Sequence, residues 1–314
     1  MGRKHMKKIL ISVIAVIMLA AALAGCSQNQ TANTTNSTST TAYTNDDLLV
    51  SSDWLKDNLD KVVILDTRDS KAYAASHITN AINVTWQQFT DMQGKKPGDK
   101  GWGNLLESSQ LADAIGKLGI DGTKTVVVYG APPSGWAEDG RVAWTLKSAG
   151  LKNVKILNGG YTAWQTKGYS TDTAVPTVTT AAFKISAMDT SLNVTTDYLS
   201  SNLGKVKIID AREAEEYNGA VKYGEARGGH IPGAINITWT QLYNSDGTVK
   251  SQKDIEAILS AKGINKTDEI VTYCTKGIRS ADMALILKMC GYNAKNYDSS
   301  FYEWAGNSSL TVEK

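Results

Sequence analysis

The chain has 314 residues, 42% of them hydrophobic, enough for two domains that each bury a core. Its 33 basic and 31 acidic side chains leave a net charge of +2, and that excess sits in Arg3, Lys4, Lys7 and Lys8; residues 26–314 hold 29 basic against 31 acidic groups. So even a balance provides no electrostatic footprint for nucleic acid or anionic lipid. The three dispersed His and the lack of a CxxC pair provide no metal-ligand spacing, and the reading calls for neither metal nor organic cofactor.

In chain order, Lys7 and Lys8 precede an apolar run from Ile9 to Ala24, 16 residues long, which meets Leu23-Ala24-Gly25-Cys26. A spanning helix needs about 20 residues, so residues 1–25 read as a cleaved secretory signal, with an uncleaved membrane anchor as the alternative. Met6 is an alternative start to Met1. The segment resembles the lipobox of bacterial lipoproteins. That resemblance implies a diacylglycerol on Cys26, hence an extracytoplasmic protein whose contact with a bacterial membrane is a lipid anchor alone. Residues 26–44, rich in Ser, Thr and Asn, lack the apolar surface to order themselves and read as a flexible stalk.

The rest is an internal repeat. "VVILDTR" (Val62 to Arg68) matches "VKIIDAR" (Val206 to Arg212) at an offset of 144, "AINVTW" ending at Trp86 matches "AINITW" ending at Trp239 at 153, and "VVVYG" matches "IVTYC" at 144 again. Each half alternates short β-branched runs with helical spacing, which predicts an α/β fold: two tandem domains, each a parallel sheet with helices on both faces. In the second half the strands are predicted at Val206 to Asp210, Ile270 to Tyr273 and about Ala294 to Tyr297, and a helix from about Arg279 to Met289. A Thr- and Ala-rich stretch from Thr171 to Thr190 places the first domain at 45–172, a linker at 173–190 and the second domain at 191–314.

Cys274 ends a buried-type strand and opens a tight loop before that helix, where ligands gather in parallel sheets. Gly277 permits the curl, backbone N–H groups and the helix N-terminus face inward, and Lys276 and Arg279 add positive charge. Together these stabilise a thiolate and an anionic ligand. The alternative for Cys274 is a small buried hydrophobe, and that is the reading for Cys290. A disulfide between the two is left open, with the helix expected to hold them apart.

The blocks "IIDAREAEEYNG", "GGHIPGAIN", "VTYCTKGIRS" and "YDSSFYEW", in that order, resemble the two-domain rhodanese, or thiosulfate/3-mercaptopyruvate sulfurtransferase, family over about residues 45–314. The resemblance implies that Cys274 is the persulfide-forming nucleophile and that the loop from Cys274 through Lys276 and Gly277 to Arg279 cradles the donor anion. It also implies that Arg212 helps bind the donor; a structural ion pair is the other reading of Arg212. Asp210 and His230 are read as holding loops. The first domain has Gly130 where the second has Cys274, so it is inactive, and Trp136 and Trp144 are read as core, with the cleft as the alternative.

The implied partners are a small anionic sulfur donor and a cyanide or thiol acceptor. Mercaptopyruvate enzymes resemble CGSGVT in this loop, and here Lys276 replaces their serine, which favours thiosulfate. Two rival readings stand beside this one. A phosphatase would place five residues between Cys and Arg where this loop has four. A sulfur-trafficking module would hand the Cys274 sulfur to one protein partner without small-molecule turnover.

Overall fold

Runs of Val and Ile become strands and the amphipathic stretches between them become helices in the computed structural model, which describes residues 43–314. The signal segment, Cys26 and nearly all of the stalk lie outside the described residues. The first half contributes strands β1 (Leu49–Val50), β2 (Val62–Asp66), β3 (Ile82–Asn83), β4 (Thr125–Tyr129) and β5 (Val154–Leu157). Its helices are α1 (Ser52–Lys56), α2 (Ser70–Ala75), α3 (Ser108–Gly116), α4 (Glu138–Ser148) and α5 (Gly160–Thr166). The second half contributes β6 (Asn193–Val194), β7 (Lys207–Asp210), β8 (Ile235–Asn236), β9 (Glu269–Tyr273) and β10 (Asn293–Tyr297). With them go α6 (Thr196–Ser201), α7 (Ala214–Tyr217), α8 (Gln252–Ala261), α9 (Arg279–Met289) and α10 (Ser300–Gly306).

Both sheets are parallel and have the same strand order, β1-β5-β4-β2-β3 and β6-β10-β9-β7-β8. Asp66 pairs with Tyr129 in one and Asp210 with Tyr273 in the other. This register puts Gly130 and Cys274 at equivalent strand ends, as the repeat predicts. Short antiparallel pairs, His77–Ile78 with Thr171–Asp172 and Thr90–Asp91 with Asn104–Leu105, flank the first sheet.

Each sheet packs one face into its own apolar cluster, around Trp164 and Leu55 in the first half and Trp304 and Phe301 in the second. The opposite faces share a single core that includes Val126 and Val128 of β4, Ile270 of β9, Trp144 of α4 and Leu287 of α9. All of α9 except Lys288 is buried, the pattern of a helix covered on every side. Helices α4 and α9 approach so closely that a Cβ on Gly140 would stand 2.3 Å from the Cβ of Asp282. The segment between the domains is extended and pinned: Ala181 N donates to Gly116 O at 2.9 Å, while Phe183, Ile185 and Met188 pack on the shared core. Among the described residues no helix is long and apolar enough to cross a membrane.

Candidate active site

Three elements converge on Cys274. Strand β9 delivers it, α9 begins five residues later at Arg279, and α10 holds the loop from behind through Phe301 N to Cys274 O (3.0 Å) and Tyr302 N to Thr275 O (3.1 Å). Ser300 Oγ accepts from Cys274 N at 3.2 Å. Ser300 has φ +54°, a left-handed conformation that its counterpart in the first half fills with Gly160 at φ +56°. A residue with a side chain is held there where its hydroxyl serves the loop. Gly277 has φ +77°, and a Cβ on it would come within 2.5 Å of Asp298 O, so both conformation and space demand glycine.

Gly277 N donates to Cys274 Sγ at 3.1 Å. Burial alone would raise the Cys274 thiol, but the Arg279 charge and hydrogen bonds from Ser280 and Lys276 outweigh it. The thiol therefore lies below its ordinary value. Cys290 differs: its burial, only partly offset by the charge of Lys266, pushes it up to about 12, which suits a packing residue. Both cysteines are free thiols, held apart by α9.

Arg279 is buried and held by Glu216 and Thr275, with Nη1 to Glu216 Oε2 at 2.7 Å, Nη2 to Glu216 Oε1 at 2.9 Å and Nη2 to Thr275 Oγ1 at 2.7 Å. Thr275 Oγ1 in turn donates to Glu216 Oε1 at 2.8 Å. Lys276 is also buried. Its Nζ donates to Asp298 O at 3.0 Å and lies 4.0 Å from Asp298 Oδ1. Burial, aided by the Arg141 charge, brings its ammonium down to about 8. Asp298 links the two halves, since Arg141 Nη1 donates to its Oδ1 at 2.5 Å and to Gly277 O at 3.1 Å.

Cys274 opens into a cleft of about 260 Å³ walled by Trp86, Trp102 and Trp136 from the first half and Tyr223 and Tyr302 from the second; Thr275, Lys276, Ile278 and Arg279 complete the lining. Cys274, Lys276 and Arg279 thus share one site, and Gly277 shapes its loop. Two expectations need correction. Arg212 does not reach the cleft. It is fully buried, with Nη2 on Asp210 Oδ2 at 2.6 Å and on Gly229 O at 2.7 Å, and its guanidinium lies 4.0 Å over the Phe301 ring. The first half repeats the pair as Arg68 with Asp66 at 2.6 Å, although no cysteine is there to serve, so the pair belongs to the fold. Trp136 is not core: it is 43% exposed at the cleft mouth, whereas Trp144 is buried as expected.

His230 holds a loop, its Nδ1 3.0 Å from Tyr217 O and its ring stacked on Tyr217, just as His77 stacks on Tyr73. Glu216, Thr275 and Asp298 escaped the sequence reading, although all three lie in the very blocks that carried the resemblance. Arg141, Trp86 and Trp102 carried no local signal, because the docking of the halves brings them to the site.

The rhodanese-like domain profile matches residues 51–167 and 195–307. The Thermus thermophilus protein named "Sulfur carrier protein TtuD" is 32% identical over 87% of this chain and 98% of its own. A Mycobacterium bovis protein named "Putative thiosulfate sulfurtransferase 1" is 31% identical over 85% of this chain and 98% of its own. Among solved structures, the anaerobic ergothioneine biosynthesis enzyme from Chlorobium limicola, in complex with trimethyl histidine, superposes with a TM-score of 0.75 at 21% identity, over 85% of this chain and 70% of that one. The structure of YnjE gives 0.75 at 23% identity, over 85% and 68%. At that identity these two likenesses concern the fold. The chain belongs to the rhodanese family and carries two rhodanese-like domains.

Proposed function

We propose that this protein is a sulfurtransferase that moves sulfane sulfur from thiosulfate to cyanide or a thiol through a persulfide on Cys274. The observation that carries the reading is the Cys274 thiol held below its ordinary value at the floor of a cleft, with Gly277 N–H on its sulfur. The thiolate attacks the outer sulfur of thiosulfate, the S–S bond breaks and sulfite leaves with the electron pair. Cyanide or a thiolate then takes the terminal sulfur and returns Cys274 as thiolate. Loop N–H groups and the buried charges of Lys276 and Arg279 stabilise the anions on either side of each step. The protein's place, on this reading, is outside the cytoplasm on a lipid at Cys26.

The name of the Thermus relative favours a second reading, in which the Cys274 persulfide passes to a protein partner. Thiocyanate release from thiosulfate and cyanide separates the two. Turnover that Cys274→Ser reduces to background supports the enzyme. A persulfide that forms on Cys274 but does not yield to cyanide or small thiols supports the carrier.

A further inference from the structure

Helices α4 and α9, one from each half, cross beside two carboxyl groups that the sulfur chemistry does not use. Asp139 and Asp282 are both buried, and each lies in the first turn of its helix. Asp282 Oδ2 accepts from the Tyr243 hydroxyl at 2.7 Å. Its Oδ1 is buried without a hydrogen-bond partner and faces α4, where a Cβ on Gly140 would come within 2.2 Å of it. Asp139 Oδ1 accepts from Gly140 N at 3.0 Å.

The first turn of a helix favours an anion, but the rest of this setting opposes one. The cations of the two helices turn away, Arg141 to Asp298 and Gly277 O and Arg279 to Glu216 and Thr275. Lys250 Nζ donates to Tyr243 O at 2.7 Å, and Glu138, beside Asp139, is a further acid. Strands β1 and β5 present Leu49, Ile156 and Leu157, and the cavity beside the pair is about 10 Å³, room for one water at most. A carboxylate without a cation or solvent is strongly disfavoured, and a second one beside it more so. Burial and the Asp139 charge accordingly hold Asp282 well above the carboxylate range. Burial, opposed by the Gly140 N–H and reinforced by Glu138, brings Asp139 up to about 6.

We propose that Asp139 and Asp282 form a proton site built into the joint between the halves, so that the α4–α9 crossing is tight while the pair holds a proton and loosens when that proton leaves to solvent. The fold binds the proton more firmly than the unfolded chain does, whose aspartates titrate near ~3.9. Stability from this site is therefore fully present in acid. It falls as pH rises above about 4, through Asp139 at about 6 and on toward Asp282. Each proton that only the folded state holds changes the folding equilibrium about tenfold per pH unit.

The test is urea denaturation of the protein at pH 5, 6 and 7, comparing the wild type with Asp282→Asn and Asp139→Asn, which keep the side-chain shape and need no proton. Titrations elsewhere in the chain cancel in the difference. Relative to wild type, Asp282→Asn is expected to gain about tenfold or more in the folding equilibrium constant between pH 5 and pH 7, and Asp139→Asn to gain up to about pH 6 and then level off. Differences that do not change with pH in either variant overturn the inference. A second readout needs no variant to fold: the native wild type at pH 7 should show the infrared C=O band of a protonated carboxyl, lost on unfolding, and its absence overturns the inference as well. Neither readout involves Cys274, so failure here leaves the sulfurtransferase standing.

Discussion

Lys276 shows how one residue can be placed correctly from sequence while its electrostatics are not. Its side chain enters the cleft, as the loop spacing implies, but it is buried against Asp298 and its ammonium comes down to about 8. On the persulfide reading, sulfur transfer needs Cys274 ionised and is helped by Lys276 charged. The depressed thiol opens the active range at lower pH than an ordinary cysteine would, and loss of the Lys276 proton closes it above pH about 8. The account therefore predicts a bell-shaped kcat/KM profile with an alkaline limb near pH 8. In Lys276→Met, which keeps the stem and loses the charge, kcat/KM should be about 10²-fold lower and that limb should vanish. An unchanged limb would assign it to another group. Arg212 is the converse case: a strand-end "DAR" reads equally as ligand or ion pair, and only the repeat of the pair at Arg68 and Asp66, seen in three dimensions, decides between them.

At the scale of elements, the strands and helices of both halves were largely legible because β-branched runs and helical spacing are local. Predicted Val206 to Asp210 and Ile270 to Tyr273 became Lys207–Asp210 and Glu269–Tyr273, and the helix Arg279–Met289 falls where expected. The crossing of α4 and α9 was not legible, because it depends on Gly140 meeting Asp282 across 142 positions of chain. With no Cβ at Gly140 the helices can touch; with one, backbone or side chain must shift. Gly140→Ala should therefore cost about 1–3 kcal/mol through overpacking, read as a lower denaturation midpoint in urea with an unchanged slope. A variant as stable as the wild type would mean that the crossing is looser than the structure has it.

The whole molecule is a duplication in which the first half has Gly130 where the second has Cys274 and yet contributes to the cleft. Gly130 stands where a nucleophile would be, yet the same half sends Arg141 to Asp298 and Gly277 and supplies three tryptophans to the cleft. The sequence showed the first fact plainly. The second could not be read, since the packing of two domains along a shared core leaves no periodicity in either. Arg141 is buried, and its removal leaves Asp298 without its strongest partner. Arg141→Gln is expected to destabilise by about 3–5 kcal/mol in chemical denaturation and to slow turnover by loosening the cysteine loop. Stability lost with turnover intact would confine Arg141 to the interface.

The predicted effects on turnover presuppose that Cys274 carries sulfur. The most direct measurement is the intact mass of the protein, and of the peptide bearing Cys274, after incubation with thiosulfate under non-reducing conditions and again after cyanide is added. The account predicts the gain of one sulfur atom on Cys274, absent in Cys274→Ser, and its loss with release of one equivalent of thiocyanate. A folded protein whose Cys274 is a free thiol and gains no sulfur, or gains it on Cys290, would contradict the account.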